Sequence, residues 1–121
     1  MYQHAPFACH DRQADPVFIY ANRTAQRCFE FDWDKMTRLP SRLSTEAPNR
    51  AERQHLLDAV GRDGFISNYK GVRIAKSGRR FWIENAVVWQ LIDAAGTLLG
   101  QAARFQDWRD VTPSQALPAP I

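Results

Sequence analysis

From Phe65 to Trp108 the chain reads FISNYKGVRIAKSGRRFWIENAVVWQLIDAAGTLLGQAARFQDW, a run without a single proline. Proline cannot donate to a strand ladder, so its absence from a stretch this rich in β-branched and aromatic residues restricts what the segment can become. Two clusters of turn residues divide it. Lys76-Ser77-Gly78 and Asp93-Ala94-Ala95-Gly96 each end on a glycine able to take a positive φ. The segment therefore reads as three antiparallel strands joined by tight turns: Phe65 to Ala75, Arg80 to Ile92, and Thr97 to Trp108. In the middle strand Phe81, Ile83, Val87, Trp89 and Leu91 fall on one parity, and Trp82, Ala86, Val88 and Ile92 on the other. Successive side chains point to opposite faces. This strand is expected to be central and apolar on both faces, with Glu84 and Asn85 interrupting one face each. In the last strand Leu99, Ala103 and Phe105 share a parity with Gln101.

The upstream half supplies what folds onto that sheet. Pro6 to His10 reads as a short strand and Asp11 to Asp15 as a turn. Pro16 to Ala21 reads as a second strand, with proline at its first position. Asn22 caps a helix over Arg23 to Phe29, whose inward stripe is Ala25, Cys28 and Phe29. Asp32 caps a short turn, Asp34 to Thr37, with Trp33 and Met36 directed inward. Leu39 to Ser44 is a loop anchored by its two leucines and ended by Pro48-Asn49. Asn49 caps a longer helix, Arg50 to Arg62, with Glu52 as the return half of a capping box. Its stripe is Leu56, Leu57 and Val60, and Gly61 and Gly64 stop it. Thr112 to Ile121 holds three prolines in ten residues and is expected to be disordered. The order β-β-α-α-α-β-β-β segregates helices from strands, an α+β layout with helices on one face of an antiparallel sheet.

With 121 residues and 45% hydrophobic content, one packed domain is expected, over residues 1–109, followed by a tail over 110–121. No apolar run reaches the roughly 18–20 residues of a membrane helix. The N-terminus lacks a signal layout, so a cytoplasmic location without membrane association is expected. Cys9 and Cys28 have no metal-ligand spacing and read as buried reduced thiols. The net charge of +3 is spread among thirteen acids, so no nucleic-acid face is expected.

The stretches HAPF (His4 to Phe7), DPVFIYANRTA (Asp15 to Ala25), TRLPSRLS (Thr37 to Ser44), DGFISNYKGVRI (Asp63 to Ile74), GRRFWIENAVVWQLID (Gly78 to Asp93) and GQAARF (Gly100 to Phe105) resemble the MEKHLA domain, a PAS-like family. The resemblance spans about His4 to Trp108. It implies a five-stranded antiparallel sheet of order 2-1-5-4-3, with the helices between strands 2 and 3 covering its concave face. It also implies a sensory or regulatory module that binds a small ligand in that cavity, mediates association, or both. Bacterial relatives carry a helical segment before HAPF. Met1 falls almost on it here, so either that cap is lacking or the true start lies upstream. No output domain is visible, so a signal is expected to pass to a separate protein.

Light-sensing relatives use a cysteine on the helix after the first one. The corresponding loop here, Arg38 to Arg42, has none, and Cys28 lies earlier, so a flavin adduct is disfavoured. Haem would need an axial histidine on the long helix. His55 is there, but a lone helical histidine is ordinarily surface chemistry, so haem is disfavoured too. No nucleophile elbow or phosphate loop is present, and an enzyme is not expected. The candidate pocket lining is Tyr69, Arg73, Trp82, Asn85, Trp89 and Gln101 from the strands, with Arg38 and Arg42 from the helical side to meet an acidic group. The structural alternative pairs Arg42 or Arg73 with Glu84. The candidate homodimer surface is Phe105 with Trp108. The alternative function is a pure dimerisation or partner-docking module with a filled core.

Overall fold

The computed structural model describes residues 5–46 and 49–111. The expectations for His4, Pro48 and the tail from Thr112 lie outside these residues. Strands β1 (Phe7–Asp11) and β2 (Phe18–Ala21) lead into helices α1 (Arg23–Phe29) and α2 (Trp33–Met36). A 3-10 turn (Ser41–Ser44) and helix α3 (Arg50–Asp63) follow, then β3 (Phe65–Ile74), β4 (Arg80–Ile92) and β5 (Leu98–Asp110). The strands form one antiparallel sheet in the order β2-β1-β5-β4-β3. The Leu39–Ser44 stretch read as a loop is partly helical, and β5 runs two residues past Trp108 to pair Asp110 with Phe81.

The α1 boundaries follow from its caps. The Asn22 side chain accepts from the Ala25 amide, and Glu30 ends the helix at φ 64. Ala25, Cys28 and Phe29 are buried, as their spacing requires. α3 starts differently from the capping-box expectation. Asn49 makes no side-chain cap bond, and Glu52 accepts from the Tyr69 hydroxyl at 2.8 Å instead. Gly61 lies within α3; Gly64, at φ 90, stops it. Leu43 and Trp33 are exposed rather than inward, leaving Leu39 and Met36 as the anchors.

The sheet is not apolar on both faces in the simple alternating way. Asn85 sits at φ 51 and Asn68 at φ 57, in the left-handed region asparagine tolerates. The β3–β4 register slips between Ile66 and Gly71. Before Asn85 the buried residues of β4 are Phe81 and Ile83; after it they are Ala86 and Val88. The irregularity switches which parity faces the helices, as a bulge does. The core gathers Phe81, Met36 and Val60, essentially without exposure, with Phe18, Phe29, Leu56 and Phe105. Each such side chain contributes about 1.5–3 kcal/mol on burial. Arg79 ties the helical layer to the strand ends. Its guanidinium donates to the Cys28 carbonyl at 2.6 Å and to Glu30 and Asp110 at 3.3 and 2.5 Å.

Candidate functional site

A cavity of about 70 Å³ lies between the helix-facing side of the sheet and the layer of α1, the 3-10 turn and α3. Its walls are largely apolar: Phe18, Phe29, Leu56, Ile83, Val88 and Phe105. Polar groups also line it: Ser41, Ser44, Arg53, Arg73, His10 and Gln101. A larger recess of about 290 Å³ adjoins it and shares His10, Arg53, Leu57 and Gln101 with it.

Two arginines dominate the chemistry. Arg53 is 7% exposed and Arg73 8%. Arg53 rises from α3 on the stripe of Leu56 and Val60, and its guanidinium donates to Ser41 Oγ. Arg73 stands on the inner face of β3, two positions beyond Gly71. It donates to the Tyr69 hydroxyl at 3.3 and 3.4 Å and to the Val72 carbonyl at 3.0 Å. Gly71 makes that possible: a Cβ there would lie 2.4 Å from the Tyr69 hydroxyl, which folds back along its own strand toward Arg73. Among the described residues neither Arg53 nor Arg73 is in a salt bridge. Burial, and then the neighbouring charge of Arg73, pushes the Arg53 guanidinium down to about 10, so it remains charged at neutral pH. Burial raises the Tyr69 phenol. The Gln101 amide donates to the Leu57 carbonyl at 3.3 Å, while its buried Oε1 has no partner among the described residues. His10 Nδ1 meets the Asp11 carbonyl at 2.8 Å, and burial holds the imidazole below its ordinary value. A nitrogen facing a carbonyl must donate, so Nδ1 carries the proton.

Of the residues expected to line a pocket, Arg73 and Gln101 do so, and Tyr69 lies buried beside Arg73. The others lie elsewhere. Trp82 and Trp89 occupy the opposite face of the sheet: Lys70 covers Trp82 at 4.5 Å, and Trp89 packs on Phe7 at 5.8 Å. Trp82 faces outward by alternation with Phe81 and Ile83, and the parity switch at Asn85 brings Trp89 to the same face. Asn85 itself is exposed and donates to Asp107 at 2.7 Å. Arg38 is exposed, and Arg42 turns outward to Asp15 at 3.1 Å. Glu84 pairs with neither Arg42 nor Arg73; it holds Arg109 at 2.7 Å and Lys70 at 3.8 Å on the outer face. Phe105 is 3% exposed, and Trp108 packs edge-on against it from the core side, so these two do not form an outward surface.

Sequence reasoning missed Arg53, Ser41 and His10. The signal for Arg53 was legible: a charged residue three positions before Leu56, on the face that Leu56 and Val60 bury. Cys28 is buried on α1, its thiol pushed up to about 11 by burial, and His55 is exposed on α3. Among the described residues no group of three or more His, Cys, Asp or Glu is placed to hold a metal ion. Nor, among these residues, is any helix long and apolar enough to cross a membrane.

A family model, the MEKHLA domain, matches residues 1–110. Among solved structures, the PAS domain of a protein from Colwellia psychrerythraea is similar, with a TM-score of 0.70 and 15% identity over 88% of this chain and 86% of that one. A light-oxygen-voltage domain from work with a flavin analogue gives a TM-score of 0.67 at 16% identity, covering 93% of this chain and 81% of that one. The dark structure of the blue-light photoreceptor Aureochrome1 LOV gives 0.66 at 17%, covering 91% and 78%. At these identities the likeness is one of fold. Comparison with curated proteins returned no match.

Proposed function

The chain belongs to the MEKHLA domain family, and from that premise we propose that it is a PAS-like sensory or regulatory domain that takes up a small molecule between sheet and helices. The observation that carries this reading is the cavity whose apolar wall is broken by buried, under-partnered polar groups. Small-molecule sites have that construction. At about 70 Å³ the chamber suits a molecule of a few heavy atoms, extending toward the 290 Å³ recess through the wall they share. Burial pushes the Cys28 thiol up to about 11, the state of a packed thiol rather than of one poised to form a flavin adduct. The reading is one of binding rather than catalysis. Ser41 Oγ accepts from Arg53, and Ser44 Oγ donates to the Ser41 carbonyl at 2.7 Å. Among the described residues neither meets a histidine, the arrangement a nucleophile needs.

Native mass spectrometry of protein purified from cells, with an absorption spectrum of the same sample, tests the proposal. A reproducible small adduct is expected. A bare chain, joined by the absence of any amide shift at Ala8, Val88 or Ala102 across a panel of small metabolites, would remove it.

One observation favours a second reading, association with another copy of this chain. Trp33, Tyr20, Phe7 and Trp89 run in ring contact across the outer face at 5.6, 5.7 and 5.8 Å. Phe65, 59% exposed, pairs with Trp89 at the far edge. An apolar row of this extent marks interaction surfaces. A dimer mass at tens of micromolar, lost in Trp89→Glu, is expected; a monomer would end this reading.

A further inference from the structure

We propose that the cavity recognises the carboxylate of a small organic acid, held between the guanidinium groups of Arg53 and Arg73. This rests on the pocket reading above and deepens it. Two buried guanidiniums facing one chamber are an arrangement proteins avoid unless an anion completes it, because each lacks water and each repels the other. Here the nearby acids are engaged elsewhere. Asp15 holds Arg42 at 3.1 Å, and Glu52 accepts from Tyr69 at 2.8 Å, reaching Arg73 only through that phenol. Glu84 is on the other face with Arg109 and Lys70. Among the described residues Arg53 donates only to Ser41 Oγ, out of the five N–H groups a guanidinium carries.

The geometry selects the anion's chemistry. Arginine presents a planar fork that matches a carboxylate in two-point contact. The rest of the chamber is Phe18, Ile83, Val88 and Phe105, which suits a short hydrocarbon tail and disfavours a fully hydrated ion such as inorganic phosphate. The volume of about 70 Å³ limits that tail to a few carbons. The unpartnered Gln101 Oε1 adds an acceptor for a hydroxyl on the same molecule, so a hydroxy acid should bind at least as well as the plain acid.

The test is a titration of the isotope-labelled chain with propionate, lactate, propionamide and inorganic phosphate, followed by amide NMR at constant ionic strength. Propionate and lactate should shift Ala8, Val88 and Ala102, with dissociation constants at least tenfold below that of propionamide. Arg53→Met and Arg73→Met should each weaken propionate at least tenfold and propionamide far less, so that the preference for the acid collapses. If either variant fails to fold, Arg53→Lys, which keeps the charge and loses the fork, should still weaken propionate several-fold. Equal binding of propionamide and propionate would overturn the acid assignment and leave the pocket intact. Phosphate binding without the acids would overturn the carboxylate. No shift at any cavity residue with any probe would overturn this inference together with the pocket reading.

Discussion

Replacing Arg53 with methionine should stabilise the ligand-free protein if, as proposed, the arginine serves a ligand rather than the fold. Arg53 is almost fully buried, and its guanidinium is pushed down to about 10 by desolvation and by Arg73. That fall corresponds to roughly 3 kcal/mol against the charged form at neutral pH. Methionine keeps the length and supplies an adaptable apolar chain beside Leu56. The loss on the other side is the bond to Ser41 Oγ. A charge-assisted hydrogen bond contributes about 1.5–3 kcal/mol. The net expectation for Arg53→Met is therefore a gain of about 1 kcal/mol, or about 4 °C in Tm for a domain of this size. Adding Ser41→Ala removes both partners together, which is nearly neutral for the bond itself, and the gain should rise to about 2 kcal/mol. Urea unfolding at pH 7 reads both, with unchanged m-values confirming that only stability moved. If the double variant loses 1 kcal/mol or more, the guanidinium holds the fold together and the reasoning is refuted.

Gly100→Ala should cost about 3 kcal/mol or more. A Cβ at Gly100 would lie 1.8 Å from the His10 carbonyl oxygen, and φ is 155. That oxygen belongs to β1 backbone and cannot swing away without opening the β1–β5 ladder. A urea midpoint within about 1 kcal/mol of wild type would show that the strands part freely there. His10 should make the fold acid-sensitive. Burial lowers its folded pKa below its unfolded value of about 6.5, so the unfolded chain binds the proton first. Stability is then unaffected above pH 6.5 and falls as pH drops from there toward the folded value. A His10→Gln variant should flatten the unfolding free energy between pH 7 and 5, and a slope equal to wild type would assign the acid loss to other groups.

The chemistry of the turns and caps was local and could be read from the chain. Lys76-Ser77-Gly78, Asp93 to Gly96 and the Asn22 cap fall where their side chains and φ preferences put them. The α3 cap was not, because Glu52 had a tertiary competitor in Tyr69 for the bond the capping box needs. The pocket residues divide on the same line. Arg73 and Gln101 were legible as polar residues in apolar strands. Unbroken alternation puts Trp82 and Trp89 on opposite faces; the positive φ at Asn85 resets it and leaves both on the outer face. Arg38 and Arg42 sit in the loop near the helical side and stay exposed, and the buried arginine of the helical layer is Arg53, on the helix itself.

By itself the sequence determined that three long antiparallel strands follow a helical segment, and that the helices cover one face. Strand and helix periods and glycine turns are properties of neighbouring residues, and they survive any tertiary context that keeps the chain compact. Only the tertiary structure decided which face of β4 each tryptophan occupies, and that two arginines twenty positions apart in the sequence enter one chamber. Those outcomes depend on bulges, strand register and the docking of α3 over β3, which are set by contacts between residues far apart in sequence. They are also what gives the chamber its charge, and so its chemistry.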